Sequence, residues 1–191
     1  MLSVVVPTLT GREESLQRTI SAYEETLAGR EWELIVVQDK PTWPTACNEG
    51  YADTRGDILH FSADDLEPLP GCWDQVLPWL EEHDELPAPK VLNHSADGSF
   101  DNIEDGPDGS ITWFTRIPLL RRDQYERIGR WPEYNYVADI WLSEKARKIG
   151  IETRIFYSYA FVHHWHQVGR KEDPATMALA QIALAQLRHE M

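Results

Sequence analysis

Leu2-Ser3-Val4-Val5-Val6-Pro7 opens the chain as an unbroken β-branched run, the pattern of a strand buried on both faces of a parallel sheet. A loop over Thr8 to Gly11 follows. Leu16, Ile20, Tyr23 and Leu27 then recur at helical spacing, and Thr10 and Glu13 stand where a capping box would place them. Glu33 to Val37 is a second strand, ending in Gln38-Asp39. Strand, helix and strand in that order predict a right-handed parallel crossover. Lys40 to Pro44 reads as a proline-stiffened loop, Thr45 to Ala52 as a short helix closed by Gly56, and Asp57 to Phe61 as a third strand.

Farther along, Trp73, Val76, Leu77 and Leu80 share a helical face, which Pro78 shortens or kinks. Val91-Leu92 is a strand candidate, Ser95 to Ser110 is a loop rich in Asp, Gly and Asn, and Ile111 to Leu120 returns to strand with Pro118 marking an edge or bulge. Arg122 to Ile128 predicts a short helix ended by Gly129. Asp139, Leu142, Ala146 and Ile149 fall on one face of the next helix, with the acid at its N-terminal end. A strand over Glu152 to Tyr157, the run Phe161 to His166, and a final helix capped by Asp173-Pro174 with Leu179, Ile182, Ala183 and Leu187 on its apolar face complete the pattern. With no internal repeat or linker, the chain predicts a single α/β domain over residues 1–191 with a mostly parallel central sheet.

Within that pattern, Asp64-Asp65 stands where the third strand must run out. Adjacent carboxylates repel, so the pair calls for a cation or donors, although a solvated acidic turn before a helix has the same local sequence. In an open α/β sheet ligands bind outside the carboxyl ends of strands, so Thr8, Asp39 and Asp65 are expected to converge on one crevice. The formal net charge of -14 argues against binding a nucleic-acid backbone through a basic surface. Cys47 and Cys72 are the two cysteines, at no metal-ligand spacing, which fits buried thiols in a reducing compartment. No apolar run approaches membrane-spanning length and no basic-then-apolar leader opens the chain. The expectation is a soluble cytoplasmic protein, host-cytoplasmic if virus-encoded, without a membrane anchor.

Ser3 to Thr8, Val36-Val37-Gln38-Asp39, Asn48-Glu49-Gly50 to Arg55-Gly56-Asp57, and Ala63 to Gly71 together resemble family-two glycosyltransferases of the GT-A fold. Ile117 to Gly129, Ala138 to Ser143 and Lys148-Ile149-Gly150 fall in that family's order, so the resemblance covers most of the chain. It implies a Rossmann-like three-layer GT-A domain and an inverting transferase, of the hexosyltransferase class, using a nucleotide-sugar donor. UDP-sugar is the first guess, with GDP- and dTDP-sugars next; the acceptor is a glycan, protein or modified nucleobase.

The resemblance also implies roles. Asp39 would hydrogen-bond the nucleotide base, with Pro7 and Thr8 lining the same pocket. The family's Asp-x-Asp motif falls on Ala63-Asp64-Asp65, making Asp65 the metal ligand and leaving Asp64 at the nucleotide; a shifted register over Ser62 to Asp64 would make Asp64 the ligand instead. Mn²⁺ or Mg²⁺ suits such a site, because a hard cation held by one carboxylate and the diphosphate oxygens neutralises the leaving group. His164 and His166, on one face of an extended segment, are the candidate histidine ligands, with His163 on the other face. Asp139 would be the general base. Ala63 and Ala138 replace acids that the family carries.

Arg116, Arg121, Arg122, Arg170 and Lys171 are possible partners for phosphate, Arg170 first because it follows the histidines. Of eight tryptophans, Trp32, Trp73, Trp79 and Trp141 sit in element positions, whereas Trp43, Trp113, Trp131 and Trp165 lie nearer loops, and Trp113 or Trp131 would suit an acceptor platform. Three other readings stand beside this one: a binding module that keeps the fold and has lost turnover, a zinc site at the histidines, and a nucleotidyltransferase. The last would need a glycine-rich basic loop after the first strand, and Thr8 to Arg12 has one glycine and one arginine.

Overall fold

The computed structural model describes residues 1–94, 100–102, 117–132 and 138–164, with isolated helical positions at 178, 181, 182, 185 and 186. β1 (Leu2–Thr8) is buried along its whole length, and α1 (Glu13–Thr26) carries the chain back to β2 (Trp32–Gln38), parallel to β1. α2 (Trp43–Asp53) leads to β3 (Ile58–Phe61), parallel to β1 on its other side. Directly after the acid pair comes β4 (Leu66–Pro68), then α3 (Trp73–Glu82), β5 (Leu86–His94), β6 (Phe100–Asn102), β7 (Leu119–Arg121), α4 (Arg122–Ile128), α5 (Ala138–Lys148) and β8 (Thr153–His164).

The result is a mixed α/β fold in which the described strands form two four-stranded sheets. The first has the order β2-β1-β3-β7, parallel except for β7. The second has the order β4-β8-β5-β6, in which β8 is parallel to β5 while β4 and β6 run antiparallel to their neighbours. β4 is too short to show a periodicity, so the separation of β5 and β8 into a second sheet was hidden in the sequence. β8 is one strand where the sequence suggested two segments. Its pairing slips from Pro89–Phe156 to Lys90–Ala160, and the intervening bulge turns Tyr159 fully inward while Tyr157 is 66% exposed.

β1 explains why the fold closes. Val4 and Val6 point into a core with Tyr23, Trp73, Val91 and Phe161. Val5, on the opposite face, joins Val37, Cys47, Phe61, Tyr125, Trp131 and Leu142 in a second core. α2 approaches this face closely enough that a Cβ on Gly50 would lie 2.5 Å from Val5 Cγ1 and 2.9 Å from Val37 Cγ2. Both thiols are buried, and burial pushes that of Cys47 well above its ordinary value. α3 buries Trp73, Val76, Leu77 and Leu80, the face read from the sequence, with Pro78 inside it.

Several local expectations change. Arg12, not Thr10, is the N-cap of α1, because the Thr10 hydroxyl is committed to Asp39; Glu13 instead accepts from Gly11 N. The buried face of α1 carries Ser15, Thr19 and Tyr23, with Leu16 and Ile20 at its margin. Trp43-Pro44 are the first turn of α2, capped by Thr42, rather than loop. Ile149 follows the end of α5 and is 43% exposed, while Leu142 and Ala146 are buried. β6 falls inside the segment read as loop. Of the final apolar face, Ile182 is 54% exposed and Leu179, Ala183 and Leu187 lie outside the described residues.

Candidate functional site

Hydrogen bonds join the carboxyl ends of β1, β2 and β3. Asp39 N donates to Thr8 O at 3.0 Å, fastening the end of β2 to the end of β1. Asp39 adopts a left-handed backbone (φ 57°), a conformation that Asp tolerates better than most residues. That geometry turns its carboxylate onto Thr10, which donates from its backbone N at 2.8 Å and its hydroxyl at 2.6 Å. Thr8 points the other way: its hydroxyl donates to Asp64 Oδ2 at 2.6 Å. Pro7 is buried in β1 opposite Val37.

The acid pair has a resident cation. Arg12 Nη2 lies 2.9 Å from Asp64 Oδ1 and 2.8 Å from Asp65 Oδ2. The Asp64 carboxylate is 3% exposed, and the Ser15 hydroxyl donates to its backbone carbonyl at 2.8 Å. Burial raises the Asp64 carboxyl above its ordinary range, against the opposing pull of the Thr8 hydroxyl and the Arg12 guanidinium. In the sequence Arg12 is the single cation of the loop Thr8 to Arg12, and no spacing rule links it to acids more than fifty positions on. A cation one turn past a strand end, in so acidic a chain, was the available signal.

Of the described histidines, it is His163 that faces Asp65. β4 pairs Leu66 with His163, which sets His163 Nε2 3.8 Å from Asp65 Oδ1. His163 Nδ1 stands 2.8 Å from Asn93 Oδ1, a contact that sets the ring's orientation and turns Nε2 toward the Asp65 carboxylate. A carboxylate oxygen and, when the ring is neutral, an imidazole nitrogen thus stand side by side, and the Asn93 contact is the kind of outer partner that orients a ligating imidazole. His164 turns to the other face, with Nε2 2.8 Å from Glu67 Oε1 and Nδ1 3.3 Å from His94 Nδ1; Glu67 also pairs with Arg18. Among the described residues no three of His, Cys, Asp and Glu converge as a ready-made cage. One carboxylate and one imidazole suit a hard divalent ion whose remaining ligands are phosphate oxygens and water.

Asp139 lies half-buried in the first turn of α5, where its Oδ1 accepts from Ile140 N at 2.9 Å. The helix is anchored through Ala138, Leu142 and Ala146 in the same core as Phe61 and Trp131. Trp131 is pinned by Asn48, whose Nδ2 donates to Trp131 O at 3.1 Å and whose Oδ1 accepts from Tyr125 Oη at 2.8 Å. Its ring meets Trp43 edge-on at 4.7 Å, and Trp43 Nε1 donates to Ser62 O, next to the acid pair. Trp131 is 4% exposed, so it is core and not an open platform.

Arg121 and Arg122 serve the fold. Arg121 donates to Leu80 O and His83 O and pairs with Asp84, while Arg122 donates to Thr54 O and Gly56 O, near the start of β3 and far from the acid pair. Arg116, Arg170, Lys171, His166, Trp113 and Trp165 lie outside the described residues.

No protein-family model and no curated protein sequence matches the chain. Solved structures of S. aureus TarS share its fold. One aligns with a TM-score of 0.69 at 12% identity, covering 97% of this chain and 39% of that one. A second, TarS 1-349, gives 0.72 at 12% identity over 97% of this chain and 64% of that one. The chain therefore spans less than two thirds of either. No described helix is long and apolar enough to cross a membrane.

Proposed function

We propose that this chain is a glycosyltransferase that moves a sugar from a nucleotide-sugar donor to an acceptor hydroxyl. The observation that carries the reading is the joining of Thr8, Asp39, Asp64 and Asp65 at three adjacent strand ends, on a fold shared with TarS, itself a glycosyltransferase. Such strand ends are where an open α/β sheet takes its nucleotide. Asp39 and the β1 end form the nucleoside side, and Asp64 and Asp65 the diphosphate side. UDP-sugar remains the first candidate donor, and a hexosyl group the first candidate for transfer.

Asp65 and His163 are the residues that would hold Mn²⁺ or Mg²⁺, and such an ion supplies positive charge to the departing diphosphate. Asp139 is the general base, taking the proton of the acceptor hydroxyl as its oxygen attacks the anomeric carbon from the face opposite the diphosphate, with inversion. His164 belongs to the shell around Glu67 in this scheme, and Arg170 and His166 are further candidates from the segment beyond β8.

Calorimetric titration with UDP, GDP and dTDP, each with Mn²⁺ and again with EDTA, tests the donor site. Metal-dependent binding of one of them is the expected result and names the sugar nucleotides to try in transfer. No binding to folded protein refutes the donor site. A second reading, a binding module without turnover, is favoured by one observation: Arg12 already neutralises the acid pair. Nucleotide binding that needs no metal, with no donor consumed, would select it.

A further inference from the structure

Asp64 and Asp65 have four carboxylate oxygens between them, and the structure accounts for each. Asp64 Oδ2 accepts from Thr8, Asp64 Oδ1 and Asp65 Oδ2 both meet Arg12 Nη2, and Asp65 Oδ1 faces His163 Nε2. A single guanidinium nitrogen thus bridges the pair. The Arg12 side chain is 24% exposed, so its outer edge reaches solvent, whereas the Asp64 carboxylate is 3% exposed and sealed. Arg12 is also the N-cap of α1, preceded by Gly11 at φ 87°. Its backbone is fixed by the helix start, and only its side chain has to rotate to leave the acids.

We propose that Arg12 is a gatekeeper of the metal site: it holds the acid pair in the absence of donor and competes directly with a divalent cation for Asp65. This deepens the donor-site reading and rests on it. A metal ion between Asp65 Oδ1 and His163 Nε2 would share one monoanionic carboxylate with a guanidinium 2.8 Å from its other oxygen, and the two cations repel. Moving the guanidinium aside relieves that repulsion and returns the charge of both acids to the metal. A diphosphate gives the displaced guanidinium a bidentate partner, which a carboxylate already shared with a neighbour does not. Arrival of the donor and admission of the metal are then linked: phosphate draws Arg12 off, and the vacated carboxylate takes the ion.

Thr8 and Ser15 hold Asp64 independently of Arg12, so the loop keeps its shape when the guanidinium is removed. The test is Mn²⁺ binding without nucleotide, followed by the electron paramagnetic resonance signal of free Mn²⁺, for the full chain and for Arg12→Gln, with circular dichroism and melting curves to show that both fold. Arg12→Gln should bind Mn²⁺ at least tenfold more tightly, and Asp65→Asn placed on that background should abolish the gain. Arg12→Lys keeps a charge but not the fork, and should shift affinity in the same direction by less. Unchanged or weaker Mn²⁺ binding by both Arg12 variants overturns the proposal, as does a gain that survives Asp65→Asn. The donor reading fails separately: tighter Mn²⁺ binding in Arg12→Gln, with no binding of UDP, GDP or dTDP to either protein, leaves the competition standing and removes the nucleotide.

Discussion

The Thr8 hydroxyl donates to Asp64 Oδ2 across 2.6 Å, which makes the end of β1 a support for the acid pair that follows β3. Asp64 is buried enough that its carboxyl already titrates above the ordinary range, and Thr8 is the first of the groups that oppose the rise. Thr8→Val keeps the shape and deletes the donor. It should cost about 1.5–3 kcal/mol, the range for a hydrogen bond to a charged group, and move the Asp64 titration higher still. Urea denaturation and carboxyl-carbon NMR measure the two effects, and Thr8→Ser should restore most of both.

Gly50 is set by contact, not by a turn. Helix propensity alone favours alanine there by about 1 kcal/mol. Against that, the added methyl would sit 2.5 Å from Val5 Cγ1 and 2.9 Å from Val37 Cγ2, the side chains that join α2 to the sheet. The clash wins, because both valines are packed in the core. Gly50→Ala should therefore destabilise the protein by about 1–3 kcal/mol, read from the denaturation midpoint at unchanged slope.

The first sheet was legible because its signal is long and local: seven residues of β1, all buried, read as a strand whatever surrounds them. The acid pair was legible for the same reason, as two charges at the end of an apolar run. What sequence could not show depends on reach across the fold. Arg12 meets Asp65 only because α1 starts beside the end of β3, and which of two adjacent histidines faces Asp65 depends on the pairing of Leu66 with His163 in a strand of three residues. Thr10 and Glu13 had the spacing of a cap, but Asp39 is the stronger partner for Thr10, and local pattern yields to it.

His60 is wholly buried between the hydroxyls of Tyr23, 2.7 Å from Nε2, and Tyr159, 3.1 Å from Nδ1. Burial, against the pull of the Pro118 carbonyl, depresses its pKa from 6.5 to about 3. The folded protein therefore keeps His60 neutral where the unfolded chain takes up a proton. Stability from this group is complete above pH 6.5 and is lost as pH falls from there towards about 3. The slope should approach about 1.4 kcal/mol per pH unit once the unfolded histidine is protonated. Unfolding free energies at pH 7, 6 and 5 should show this loss for the wild type, and His60→Phe, which cannot titrate, should lack it even if it is less stable at pH 7.

Asp139 has two roles open to it, and one substitution separates them. As a helix N-terminal acid it stabilises α5 through the dipole and through its contact with Ile140 N; asparagine keeps the contact and loses the charge, a cost of about 0.3–1 kcal/mol. As the base it must take a proton, which asparagine does not do. Asp139→Asn should thus melt within a few degrees of the wild type, bind UDP and Mn²⁺ with unchanged affinity, and transfer sugar about 10²–10⁴-fold more slowly. Donor hydrolysis and transfer assays against the matching sugar nucleotide measure the loss. Equal transfer by mutant and parent would return Asp139 to the helix terminus alone and send the search for the base to the residues beyond β8.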